Sequence, residues 1–489
     1  GIIQTESGNI TINATGAVNG GVDCPGLSLQ GPTSGSGIVR TNAGGNIIIN
    51  ATGGGNNSSP GVSITRGTIS TTGGGDITIN ATGGGGNASD GVQIVGPAPA
   101  AGNSAIQTIG LPGDIFITAT GGSSGTGNNG VNVINGGQIF AGDGIIVIDG
   151  TGGPNGGGSY GVSVTGSGSD ITARFGTFDV TGRAGGGGSE GILVSGGGVI
   201  TALNGSGVIN TFSDLIVSNG SSISASGGTL TVNVARDILL ENGGSLSSQL
   251  QNNVRAGRDI TLNGMLGLGA TIFSSTSDIQ VLAGRNFTMN AAVNFAAFVG
   301  ALGNITIVVD NAFPSPPDIG PGSFSKDANS VILANIDGSN NLRIFTARQS
   351  QNNIQGTLNL FPFVPGIEFV NTNQEQWETY FPSGFGGNPF TIFYKNTNRQ
   401  TIITLINELM VANAQISDFL PFFPRVRTPF EFSYVGEFCD YDPADHHLHC
   451  RPNFAPYGSF IFEDRVFWIG RSWDPSSQTT LMDYLKHRK

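Results

Sequence analysis

Three short β-type strings recur in fixed order roughly every 30 residues down the first third of the chain, and this period constrains the fold more than any other feature. The first string is GNITINATG from Gly8, GGNIIINATGGG from Gly44, GGGDITINATGGGG from Gly73 and, more loosely, GDIFITATGG from Gly113. The second is GLSL from Gly26, GVSI from Gly61, GVQI from Gly91, GVNV from Gly130, GVSV from Gly161 and GILV from Gly191. The third is GIV at Gly37, GTIST at Gly67, GQIF at Gly137, SDITA at Ser169 and GGVIT at Gly197. A unit of three strands cannot bury its apolar side alone, so units of this length stack into a solenoid.

Each unit alternates apolar and polar residues, as in Ile77-Thr78-Ile79, which places one set inside and the other outside. Ile77, Ile79, Val92, Ile94, Ile115 and Ile117 are therefore expected to point inward. Asn13, Asn50, Asn80 and Thr118 fill matching outward positions, where stacked amides can hydrogen-bond along the axis as a ladder. Gly supplies 81 of the 489 residues, and the Gly-rich runs are expected where the chain turns between faces, because Gly reaches positive φ freely. Collagen is excluded by the lack of a strict Gly-X-Y period.

Beyond about Gly205 the markers become ARDILL from Ala235, AGRDITLN from Ala256, AGRNFTMN from Ala283 and LGNITIVV from Leu302, spaced 22, 27 and 18 residues apart. The sequence thus divides into a solenoid with Gly-rich rungs over 1–205, one with shorter rungs over 206–363, and an α+β block over 364–489. Of 29 Phe, 23 lie at or beyond Phe287, and all three Trp lie beyond position 370, the composition of a conventional aromatic core. Ile402, Leu405, Ile406, Leu409 and Ile416 follow helical spacing, with Thr401 as N-cap and Pro421 as terminator.

AGRDITLN, AGRNFTMN and the repeated GDITINATG strings resemble secreted exoproteins of the filamentous-haemagglutinin type and autotransporter passengers. The resemblance covers about Gly1 to Phe363. It implies a right-handed parallel β-helix on a bacterial surface, acting as adhesin or shaft. The N-terminal secretion domain of that family is not recognisable here, and the block from Val364 is not a membrane β-barrel.

Charge sharpens the reading. The net charge is −12, and residues 1–389 hold 11 Lys+Arg against 22 Asp+Glu. Such a surface repels nucleic acid and anionic membranes. Charged residues are only 11 % of the chain, so ion-pair networks are not expected to carry its stability. No run approaches 18 apolar residues, so no transmembrane helix is expected. The chain opens in repeat sequence, so an end rung built from Gly1, Ile2, Ile3 and Ile10 is expected to be covered by another molecule or by a removed segment.

Candidate chemistry is sparse. Asp76 and Asp114 match in successive rungs, at a spacing of about 4.8 Å, near that of a retaining glycosidase pair. Asn9 and Asn46 fill the same slot, and no base accompanies either Asp, so turn chemistry is the preferred reading. Asp90 and Glu190 match in the second string but lie three rungs apart. CDYDPADHHLHC, from Cys439 to Cys450, holds Asp440, Asp442, Asp445, His446, His447 and His449. Its preferred reading is a Cys439–Cys450 disulfide closing a short loop, with zinc on His446, His449 and Asp442 as the alternative. Cys24 is left odd, either buried or paired between molecules. The sequons at Asn13, Asn50, Asn80, Asn87 and Asn304 read more simply as a rung motif. No calcium nonapeptide is present, and no cofactor is expected.

The expectation is therefore an all-β parallel β-helix with a C-terminal α+β cap. It would be a secreted structural or adhesive protein, not an enzyme, and its partner would be itself in a head-to-tail filament. A monomeric adhesin passenger and a glycan-binding or glycan-cleaving β-helix are the alternatives.

Overall fold

A computed structural model describes residues 1–309, apart from 19–22, 31–36, 56, 97–103, 156, 187–189, 265–268, 292–297 and 302. Further along it describes 322–327, 329–334, 342–346, 353–354 and the strands Ile367–Val370, Phe390–Tyr394, Gly436–Asp442, His447–Phe454, Ser459–Phe462 and Arg465–Trp468. The predicted helix at 402–416 lies outside these residues.

Among the described residues the chain winds into three parallel sheets, one strand to each sheet per rung, for twelve rungs, and two separate antiparallel strand pairs follow near the end of the chain. The first sheet runs from Ile2–Thr5 to Val331–Ala334, the third from Leu27–Gln30 to Asn353–Ile354. The second starts at Ile10–Thr15, reaches Leu342–Thr346, and is extended in parallel by Phe390–Tyr394 and Ile367–Val370. Pairing runs without a shift through the proposed change of rhythm, since Phe178–Arg183 aligns with Gly207–Thr211 and that with Leu230–Val234. No helix among the described residues is long and apolar enough to cross a membrane.

Alternation decides the register. A one-residue slip would turn every apolar side chain outward, so the buried columns hold all rungs in phase. Ile47, Ile77, Ile115 and Ile146 form one such column and Ile49, Ile79, Ile117 and Ile148 the next, all buried. Val92 and Ile94 lie in the corresponding columns of the third sheet, so the six inward residues read from the sequence are all inside. Each such side chain contributes about 1.5–3 kcal/mol by burial. Large and small residues complement one another along a column: the Phe178 ring fills the space below Gly207, its register partner on the next rung. Near the far end Phe287 and Phe324 stack at 5.7 Å, and Lys326 is buried in the core with its Nζ donating to the Asp327 carbonyl at 2.9 Å.

The corners use glycine in two ways. Gly73 and Gly74 take φ of 79° and 94°, as expected of a turn. Gly84 does not; its need is close approach, because a Cβ there would strike the Gly54 carbonyl of the rung below. Its N–H meets the Ser59 carbonyl at 2.8 Å, closing the corner between second and third sheets.

Candidate functional site

The Asn and Thr positions of the INATG string come together on the outer face of the second sheet. Asn50 Nδ2 donates to Asn13 Oδ1 at 2.8 Å, and Asn80 Nδ2 to Asn50 Oδ1 at 2.9 Å. The amide ladder expected from the sequence is present. Beside it Thr15, Thr52, Thr82 and Thr120 align rung by rung. A shallow open groove of about 500 Å³ runs along the axis between the two columns, floored by Ala14, Ala51 and Ala81. Every group lining it is a neutral amide, hydroxyl, methyl or backbone atom. The sequons at Asn50 and Asn80 are thus strand positions whose amide nitrogens are engaged in the ladder.

The candidate carboxylate pair does a different job. Asp76 Oδ1 accepts the Asp114 backbone N–H at 2.9 Å, and Asp114 Oδ1 accepts that of Ile145 at 2.8 Å. Asn9 and Asn46 do the same below, each holding the backbone N–H of the next rung at 2.9 Å. Asp and Asn are interchangeable in this role, since either offers an Oδ1, which is why both appear in the slot.

Asp90 is the chemically unusual group. It is 1 % exposed and enclosed by amides. Its oxygens accept from the Asn129 N–H at 2.7 Å, Asn132 Nδ2 at 2.8 Å and Gln93 Nε2 at 3.1 Å. Burial raises its pKa to about 6, although the hydrogen bonds from Asn132, Asn129 and Gln93 pull the other way. Glu190, its sequence match, stands three rungs on, where its charge adds to burial in raising the pKa of Tyr160. The two carboxyls form no joint site.

Charge is organised where the sequence foresaw no network. Arg236, Arg258 and Arg285 each grip an aspartate of the preceding rung: Asp214, Asp237 and Asp259. Each Nε–Oδ1 contact is 2.8–2.9 Å, and the terminal nitrogen reaches the second oxygen, giving a two-pronged pair. The same Oδ1 atoms accept the backbone N–H of Asp237, Asp259 and Asn286. Partial burial pushes Asp214 and Asp259 up, but the arginine hydrogen bonds and charges outweigh it, so both are lowered. Three of the four ion pairs among the described residues thus form one staircase over rungs seven to ten, and the fourth, Arg183 with Asp149, lies on rungs five and six. The RD and RN dipeptides carry this signal in the sequence.

Cys24 sits at the foot of a column continued by Ser59, Ser89, Asn128 and Ser159. Its backbone N–H donates to Ser59 Oγ at 3.3 Å, and the N–H of Ser59, Ser89 and Asn128 each meet the next side chain at 2.8–3.2 Å. It is a half-buried thiol in a hydroxyl slot and forms no disulfide among the described residues.

Cys439 and Cys450 face each other in register across the antiparallel strands Gly436–Asp442 and His447–Phe454, as Asp440 does His449 and Asp442 does His447. His446 and Asp445 lie outside the described residues. At the first rung Ile2 and Ile3 are exposed, whereas Ile10, expected open, is buried, because the neighbouring sheets enclose it. The Gly1 carbonyl accepts the Ile38 N–H at 3.0 Å. No known protein family, curated protein or solved structure matches this chain.

Proposed function

We propose that this chain is an extracellular structural and adhesive solenoid whose contact face is the amide and hydroxyl groove of the first four rungs. The observation that supports this most is the in-register repetition of Asn and Thr along an open, uncharged trough. Such a surface offers donors and acceptors at a period of about 4.8 Å to an extended neutral polymer lying along the axis. A polyhydroxylated chain, a neutral glycan, suits it better than a polyanion, which the acidic chain repels. The resemblance to filamentous-haemagglutinin-type exoproteins belongs to the same reading, and with it a right-handed coil and an exported location.

Head-to-tail assembly is part of the proposal. Rung-to-rung junctions among the described residues rest chiefly on parallel strand pairing and stacked side chains, so a junction of the same kind can form between copies, and a heterologous contact of that kind gives an open filament. A Cys439–Cys450 cross-link between facing strands would be consistent with an oxidising location.

The test is binding of the full chain to arrayed neutral and anionic oligosaccharides, with negative-stain microscopy of the same sample. Retention on neutral arrays, lost in Thr52→Glu with Thr82→Glu, is expected, together with unbranched filaments. Equal retention by the double variant would refute the groove as the contact face. Single short particles at high concentration would refute the filament and leave the adhesin-passenger reading.

A further inference from the structure

Ile109, Leu111, Ile145, Phe175, Leu203 and Leu250 are exposed large apolar residues, and all lie at the corner where the first sheet passes to the second. Among the described residues of rungs four to nine, Phe212 is the one other such residue. Leu111 is 63 % exposed and Phe175 53 %. The strip is rigid. The Phe175 N–H bonds to the Gly142 carbonyl at 3.0 Å, that of Leu203 to Ala173 at 2.9 Å and that of Leu250 to Gly228 at 3.0 Å. These apolar side chains are held out on a stacked backbone, where a mobile turn could fold them away.

We propose that two copies of this chain pair side by side and antiparallel along this corner, about a two-fold axis between rungs five and six. The order of residues along the strip singles out that arrangement. Rung five carries exposed Asp143 and rung six exposed Arg174, whose guanidinium lies 4.8 Å over the Phe175 ring. The two-fold sets Asp143 of one copy against Arg174 of the other, twice. It sets Leu111 on rung four against Leu203 on rung seven, and Ile145 against Phe175. Rungs three and eight, with Gly73 and Gly74 facing Gly227 and Gly228, leave room for close approach. Leu250 on rung nine falls over Ala43 on rung two. A parallel pairing would instead oppose Asp143 to Asp143 and Arg174 to Arg174. The interface is isologous, so each contact occurs twice.

A strip of this width along eight rungs, about 34 Å at the strand spacing, is a small interface of the weak and transient class. Repetition along an end-to-end filament would strengthen it through avidity, turning single threads into paired ones. The pairing stands without end-to-end assembly and without the groove.

Sedimentation velocity of the full chain over a concentration series tests it. A concentration-dependent dimer is expected, and Phe175→Asp should abolish it while leaving the circular dichroism unchanged. Asp143→Arg alone and Arg174→Asp alone should each weaken pairing at least about tenfold, since like charges then meet twice. In a parallel pair either reversal would only exchange one like-charge contact for another and change little. Mixing the two variants should restore a heterodimer. The two reversed positions then oppose each other with opposite charge, and the two unchanged ones do so as in the parent. A monomer at about 1 mM, single reversals that pair as well as the parent, or a mixture that stays monomeric would each overturn the proposal. Filaments and glycan retention that persist in Phe175→Asp would show that the failure lies with the lateral contact and not with the proposed function.

Discussion

Buried and paired carboxyls make this protein respond to acid in two opposing senses, and Asp90 carries the first. Its folded pKa, about 6, lies above the ordinary carboxyl value of 3.8, so the folded state holds the proton more tightly. The stability it contributes is present below pH 3.8 and is lost as pH rises through about 6. Asp214, Asp259 and Asp327 are lowered, so what they contribute is lost as pH falls below the carboxyl range. Asp90→Asn keeps the size and the Oδ1 acceptor, and the Asn132 and Gln93 side-chain amides can turn to present their oxygens to the new Nδ2, which replaces the Oδ2 they now donate to. It is expected to raise the thermal midpoint at pH 7, by up to about 3 kcal/mol in stability, and to flatten the dependence between about pH 4 and 6. Calorimetry across that range checks both. Asp76→Asn and Asp114→Asn should leave stability within about 0.5 kcal/mol of the parent, because Asn46 already fills the role one rung below. Sequence order revealed the slot that Asp76 and Asp114 share with Asn9 and Asn46. It did not reveal the sealing of Asp90, since Gln93, Asn129 and Asn132 come from two rungs joined by a loop of variable length.

Elements differ in what fixes them. Strands follow from alternation alone, and the inward columns were legible because the period of two is strictly local. The ladders between rungs were legible only where the same residue recurs, as with Asn13, Asn50 and Asn80. The arginine staircase has its partners 21 to 26 residues apart, an offset that changes with each turn, so no fixed spacing announces it. Arg258→Ala is expected to cost about 1 kcal/mol, less at high salt, and Arg258→Lys should not restore it fully, for lysine lacks the two-pronged fork. At the glycine corner, Gly84→Ala forces a methyl into the Gly54 carbonyl. The expected loss exceeds the roughly 1–3 kcal/mol of ordinary overpacking, because the obstacle is backbone with no rotamer to yield. Chemical denaturation read by circular dichroism distinguishes these cases.

At the scale of the molecule, twelve rungs at about 4.8 Å give a described body about 53 Å long. The core is a filament of side chains one rung thick, so no residue near one end touches the other. Cooperativity is then nearest-neighbour, and stability accrues rung by rung. The parallel register has a mechanical meaning. Hydrogen bonds of all three sheets run along the axis, so tension applied evenly to both end faces loads every bond of a junction at once. A pull on the chain itself meets far less resistance, because it peels one rung at a time. Each peeled rung frees the residues between register partners: 30 from Ile47 to Ile77, 22 from Leu230 to Asn252. Stretched chain of those lengths spans roughly 100 Å and roughly 75 Å at about 3.4 Å per residue. Single-molecule extension should therefore show a sawtooth whose steps shorten from the Gly-rich rungs to the arginine-bearing ones. The protein would act as a ratcheted tether, yielding length in discrete portions under load and rewinding when the load is released.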